Sequence, residues 1–183
     1  MSKTTRAENK EVVRRLYEVI NQRNVDALPD FFAADGGTCG GQALEVMVSN
    51  PLLPGARLVP ATTARLRERE GKSAQSPEMD ALLDFTRHMF SAFPDMQVTI
   101  DSMEAEGDSV VVHWSGQGTH RGEFLGMAPT GRAVPFSSTD YFTIRNGKIS
   151  SHSGHPDTAQ VLAALGQLPL TPMATLLSWS GGA

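Results

Sequence analysis

Val134-Pro135-Phe136-Ser137-Ser138-Thr139-Asp140-Tyr141-Phe142-Thr143-Ile144-Arg145-Asn146-Gly147-Lys148-Ile149-Ser150-Ser151-His152-Ser153-Gly154-His155-Pro156-Asp157 spells out a β-hairpin. Val134, Phe136, Phe142 and Ile144 alternate with polar neighbours, the period-two pattern of a half-buried strand. Asn146-Gly147 supplies two residues that tolerate positive φ, as a two-residue hairpin turn requires, and Ile149 opens the return strand. Asp140 is in phase with the apolar positions, so its carboxylate points where Phe136 and Phe142 point. Burying a carboxylate is costly unless it is paired, hydrogen-bonded or protonated. An inward acid on an apolar strand marks a pocket.

The remaining composition narrows the class. A chain of 183 residues with 40% hydrophobic content supports one core. Its 16 basic and 20 acidic residues are scattered, giving a net charge of −4 and no basic stripe for nucleic acid. Cys39 is the only cysteine, which excludes a disulfide framework and a cysteine-based zinc site. The polar N-terminus lacks the apolar stretch of a signal peptide, and no run reaches the roughly 20 apolar residues of a membrane span. These features fit a soluble cytoplasmic protein.

Before the hairpin, Val13, Leu16, Tyr17 and Ile20 mark an amphipathic helix over 8–23, and Asn24 can cap a shorter second one. Residues 36–75 lack firm periodicity but carry apolar side chains, which suits an insertion acting as a lid, with a short charged helix from Ala61 to Glu70. Ser76-Pro77-Glu78 starts a helix reaching Ala92, and Phe93-Pro94-Asp95 stops it. His88 falls on its solvated side. Met96, Val98 and Ile100 alternate, Gly107-Asp108 turns the chain, and Val110, Val112 and Trp114 face inward on the next strand. His113 faces outward. Gly116, Gly118 and Gly122 permit bulges beside His120, which leaves its direction open. Asp157 caps a short last helix that Gly166 closes. The expected layout is α+β, a domain over 1–166 followed by a tail over 167–183.

Several pieces together resemble the SnoaL-like polyketide cyclase family. They are the opening Glu11-Val12-Val13-Arg14-Arg15-Leu16-Tyr17, then Phe93-Pro94-Asp95, then Gly118-Thr119-His120-Arg121-Gly122-Glu123-Phe124-Leu125-Gly126. Pro129-Thr130-Gly131-Arg132 and Arg145-Asn146-Gly147-Lys148-Ile149 follow in the same order. The resemblance implies an NTF2-like cone, with a curved antiparallel sheet wrapped around N-terminal helices. It also implies an apolar pocket, catalysis without cofactor or metal, and a homodimer through the outer sheet face. Ring-closing members carry His-x-Asp after the Gly-Lys-Ile turn, where the aspartate is the acid/base. Here those positions are His152-Ser153-Gly154, so the carboxylate is absent there and Asp140 occupies the inward position on the preceding strand.

Simple parity across the two-residue turn pairs Asp140 with Ser153 and turns His152 away from it. A bulge at Ser150 or Ser151 would bring His152 inward, and the resemblance favours the bulge. Asp140 and His152 are therefore the candidate catalytic pair, with Tyr17, Phe90, Trp114, His120, Phe136, Ser138 and Phe142 lining the substrate site. Desolvation by the aromatic side chains is expected to raise the Asp140 pKa towards neutrality. The expected ligand is an apolar, oxygen-bearing small molecule. The expected activity is a cofactor-independent cyclase or isomerase, with epoxide opening or pyran formation as the alternative chemistry. A non-catalytic binding or assembly module is the alternative class. His152, His155 and Asp157 do not make a convincing metal site, because residues three apart on a strand face opposite sides.

Overall fold

The computed structural model describes residues 4–33, 38–40 and 77–167, with only the backbone described at 38–40, 77, 78 and 81. Helix α1 (Arg6–Asn21) leads into a 3₁₀ helix (Val25–Phe31) and a short strand β1 (Thr38–Gly40). Helix α2 (Pro77–Ala92) precedes β2 (Gln97–Glu106), β3 (Ser109–Thr119), β4 (Ala133–Arg145) and β5 (Lys148–Pro156), and α3 (Thr158–Ala164) ends the described chain. The sheet order is β1-β5-β4-β3-β2. All pairs are antiparallel except β1, which runs parallel to β5. This is the expected α+β arrangement, with α1 packed against β2 and β3 and α3 against β4.

Helix α1 starts on a signal that hydrophobic periodicity overlooks. Thr5 and Glu8 form a reciprocal capping box, each side chain satisfying the other residue's backbone N–H. Two asparagines then hang the helix along β2. Asn9 donates to the Gly107 carbonyl at the β2–β3 turn. At the other end Asn21 exchanges two 2.8 Å hydrogen bonds with the backbone of Val98. The second contact also covers unpaired backbone groups on the sheet's edge strand, a surface otherwise open to further strand pairing. Between these anchors Val13, Leu16 and Tyr17 are buried against the sheet. The depth and rotation of Tyr17 follow from this clamp.

The second expected helix is a 3₁₀ segment with Pro29 inside it, and Asn24 makes no side-chain cap. A 3₁₀ turn accepts the missing proline N–H more readily than an α-helix interior does. Within the expected lid, only β1 is described, and the Ala61–Glu70 helix lies outside the described residues, as does the tail beyond 167. His88 is not simply solvated, since its ring stacks on Phe124 at 5.9 Å. No described helix is long and apolar enough to cross a membrane.

The Phe93-Pro94-Asp95 stop ties α2 to the end of β3. Asp95 accepts from both the backbone N–H and the hydroxyl of Thr119 at 2.6 Å. These bonds, the hydroxyl first, hold the Asp95 carboxyl below its usual range. A depressed folded-state pKa stabilises the fold above the unfolded value and is lost as the pH falls through the folded one. Asp95→Asn is therefore expected to lower the melting temperature most above about pH 4, with the gap to wild type closing below it. Melting curves from pH 7 to 2.5 measure this. A gap constant across that range would refute it.

Candidate active site

The β4–β5 hairpin closes through Asn146 and Gly147 at φ 53° and 73°, with Arg145 opposite Lys148. Its register then slips by one residue. Ile144 pairs with Ile149 but Thr143 pairs with Ser151, leaving Ser150 as the bulged residue. Beyond the bulge Phe142 stands opposite His152, and Asp140 opposite Gly154. Side-chain period in a strand is two, so one extra residue reverses the facing of everything after it. Parity from the turn is overturned and His152 points inward, stacked on Phe142 at 4.6 Å. His155 goes to the outer face, edge-on to Tyr141 at 5.5 Å, which separates it from His152. Among the described residues no cluster of metal-binding side chains forms.

Asp140 is 8% exposed and gathers donors from three elements. Tyr17 on α1 donates to Oδ2 at 2.7 Å, and the indole Nε1 of Trp114 on β3 donates to the same oxygen at 3.0 Å. Ser138, two residues earlier on β4, donates to Oδ1 at 2.6 Å. His152 Nε2 lies 3.5 Å from Oδ2, an ion-pair distance, and has no hydrogen-bond partner among the described residues. Burial pushes the Asp140 carboxyl up, but the neighbouring His152 and the Ser138 and Tyr17 hydroxyls outweigh it and hold the pKa below the usual carboxylate range. The expectation of a raised acid is thus corrected. Aromatic neighbours desolvate the group, yet two of them, Tyr17 and Trp114, also donate hydrogen bonds to it. Burial and the Asp140 charge push the Tyr17 phenol far above its usual range, so Tyr17 keeps its proton.

Tyr17, Trp114, Ser138, Phe142 and His152 thus converge on Asp140. Three other candidates sit elsewhere. His120 is wholly buried, packed between Phe93 at 5.4 Å and Phe124 at 6.4 Å. The Thr130 backbone N–H donates to its Nδ1 at 3.3 Å, which assigns the proton to Nε2, and burial holds the imidazole below its usual range. Phe136 belongs to the same cluster, 4.9 Å from Phe93. Phe90 lies under the Arg23 guanidinium at 5.1 Å, outside the rings around Asp140. Strand alternation alone does not reveal the donor role of Trp114, although a half-buried indole N–H needs a partner and Asp140 is on the adjacent strand's inner face.

An α+β cone with a buried Asp–His pair on its inner sheet face defines a class, and the sequence agrees. The chain belongs to the SnoaL-like polyketide cyclase family, whose profile matches residues 61–165, more than half its length. Among solved structures, AclR from Streptomyces galilaeus, a proposed hydroxylase, is 22% identical with a TM-score of 0.68, over 94% of this chain and 93% of its own. IdmH from Streptomyces antibioticus, a proposed polyketide cyclase, is 25% identical with a TM-score of 0.59, over 86% of this chain and 98% of its own. TsrD from Streptomyces laurentii is 18% identical with a TM-score of 0.65, over 91% of this chain and 100% of its own. No curated protein matches the chain.

Proposed function

We propose that the protein is a cofactor-independent cyclase or isomerase of an apolar, oxygen-bearing, polyketide-like molecule, working by acid/base catalysis. The observation that supports this best is the buried, multiply bonded Asp140 carboxylate 3.5 Å from a His152 nitrogen that makes no hydrogen bond among the described residues. A depressed carboxyl is a weak base but a good electrostatic anchor, so the roles divide. His152 carries the proton, and Asp140 stabilises the imidazolium as it forms. In a ring closure the imidazole takes a proton from a carbon flanked by carbonyls. The released electron pair bonds to a carbonyl carbon of the same molecule, and the resulting alkoxide takes the proton back. Holding both ends of one chain in a shaped site supplies much of the rate by proximity. A homodimer through the outer sheet face is part of the same proposal, supported by Tyr141, 49% exposed on that face.

The low Asp140 pKa favours a second reading, in which protonated His152 acts first as an acid on an epoxide or carbonyl oxygen. The connectivity of the product separates the two. Incubated with poly-β-keto compounds bearing hydroxyl groups, the wild type is expected to give a ring closed by a new carbon–carbon bond, read by NMR, and His152→Gln is not. A ring closed through a carbon–oxygen bond would overturn carbanion chemistry in favour of the acid-first reaction. Binding without any product would leave a non-catalytic module.

A further inference from the structure

Three side chains crowd one oxygen of Asp140. The Tyr17 hydroxyl donates to Oδ2 at 2.7 Å and the Trp114 indole at 3.0 Å, while His152 Nε2 stays at 3.5 Å. An N–H···O bond spans about 2.7–3.2 Å, so the histidine contact is too long to be one. A carboxylate has roughly four acceptor positions, about two on each oxygen. The phenol and the indole therefore fill both positions on Oδ2. Neither is easily displaced, since burial and the Asp140 charge hold the Tyr17 proton on its oxygen and an indole N–H can only donate. This count explains an otherwise costly feature, a buried Nε2 without a hydrogen-bond partner among the described residues.

We propose that Tyr17 and Trp114 are positioning residues that act through Asp140, saturating Oδ2 so that His152 cannot lock onto it by a hydrogen bond. The inference rests on His152 carrying the proton, as proposed above, but its test reads hydrogen bonding and not turnover. A ring closure requires the base to take a proton and then return it. An imidazolium bonded tightly to a buried carboxylate is over-stabilised and gives its proton back slowly. With Oδ2 saturated, Asp140 still offers its charge across 3.5 Å, and stacking on Phe142 at 4.6 Å holds the imidazole in place. Ser138 grips Oδ1 at 2.6 Å, which fixes the oxygen that His152 meets.

Tyr17→Phe removes one hydroxyl and keeps the ring that packs edge-on to Phe142 and tilted against Trp114. The readout is the His152 Nε2–H resonance in the whole chain carrying isotope-labelled histidine, assigned by its loss in His152→Gln. Wild type is expected to show the resonance of an unbonded imidazole N–H. In Tyr17→Phe it is expected to shift downfield, as a new bond to Oδ2 forms. That shift should shrink in a Tyr17→Phe/Asp140→Asn double variant, where a neutral amide replaces the charged acceptor. Trp114→Phe frees the other position and should act in the same direction. A wild-type resonance already downfield overturns the proposal, as does Tyr17→Phe without a shift or with one indifferent to the Asp140 charge. Should Tyr17→Phe not fold, the wild-type spectrum and Trp114→Phe decide. The shift without any cyclised product would refute the cyclase reading and leave this assignment standing. A carbon–carbon ring closure without the shift would do the reverse.

Discussion

Asp140→Asn is expected to lower turnover by about 10²- to 10⁴-fold, the range usual for losing an acid/base partner. The amide can keep the local bonding intact. Its oxygen can accept from Tyr17 and Trp114 in place of Oδ2, and its nitrogen can donate to the Ser138 hydroxyl in place of Oδ1. What it cannot do is stabilise a protonated His152. Asp140→Ala removes the acceptor altogether and leaves three donors unsatisfied, at a cost of about 3–5 kcal/mol, the usual consequence of breaking a buried charged pair. The pH dependence has a definite sign. Asp140 has a depressed folded-state pKa, so its charge stabilises the fold fully above the unfolded value of about 4 and less as the pH falls. Urea denaturation of wild type and Asp140→Asn at several pH values should show their gap shrinking below about pH 4. A gap that widened on acidification would mean that Asp140 is protonated in the native state. The assignment of His152 as proton carrier would then be reversed.

Phe93→Ala is expected to destabilise the fold by about 3–5 kcal/mol, the cost of emptying a large aromatic site in a packed core. Phe93 is fully buried and meets Phe124 and Phe136 edge-on at 5.1 and 4.9 Å, with His120 tilted against it. Gly118 presses on it from beneath, since a Cβ there would fall 3.0 Å from that of Phe93. Backbone that close cannot easily collapse into the void. Because this cluster does not include Asp140, folded Phe93→Ala protein should retain near wild-type ligand affinity below its denaturation midpoint. Urea denaturation gives the stability change. A loss under about 1.5 kcal/mol would show that the loop carrying His120 and Phe124 closes over the gap.

Much of the architecture was legible because it rests on local chemistry. The Asn146-Gly147 turn, the proline start and Phe93-Pro94-Asp95 stop of α2, and the Asp157 cap each depend on a residue's own φ preference or its reach to a nearby amide. The alternation along β4 announced the inward Asp140 as plainly as it announced Phe142. The residues around Asp140 were mostly named beforehand, but their work was not. Aromatic side chains read as apolar walls, whereas Tyr17 and Trp114 spend their polar atoms on the carboxylate, and His152 first, then the Ser138 and Tyr17 hydroxyls, reverse the direction of its pKa.

By itself, then, the sequence determined the element order, the hairpin, the inward facing of Asp140 and the family, since each depends on short-range periodicity or on motifs in a fixed order. Tertiary structure decided the rest. A single bulge at Ser150 chose the face of His152, and no composition rule distinguishes a bulged serine from a paired one. The charge state of Asp140 depends first on that His152, then on Ser138 and on a phenol 123 residues away, placed by a helix that Asn9 and Asn21 suspend from β2. Electrostatic energies fall off over a few ångströms, and distances of that kind exist only once the chain has folded.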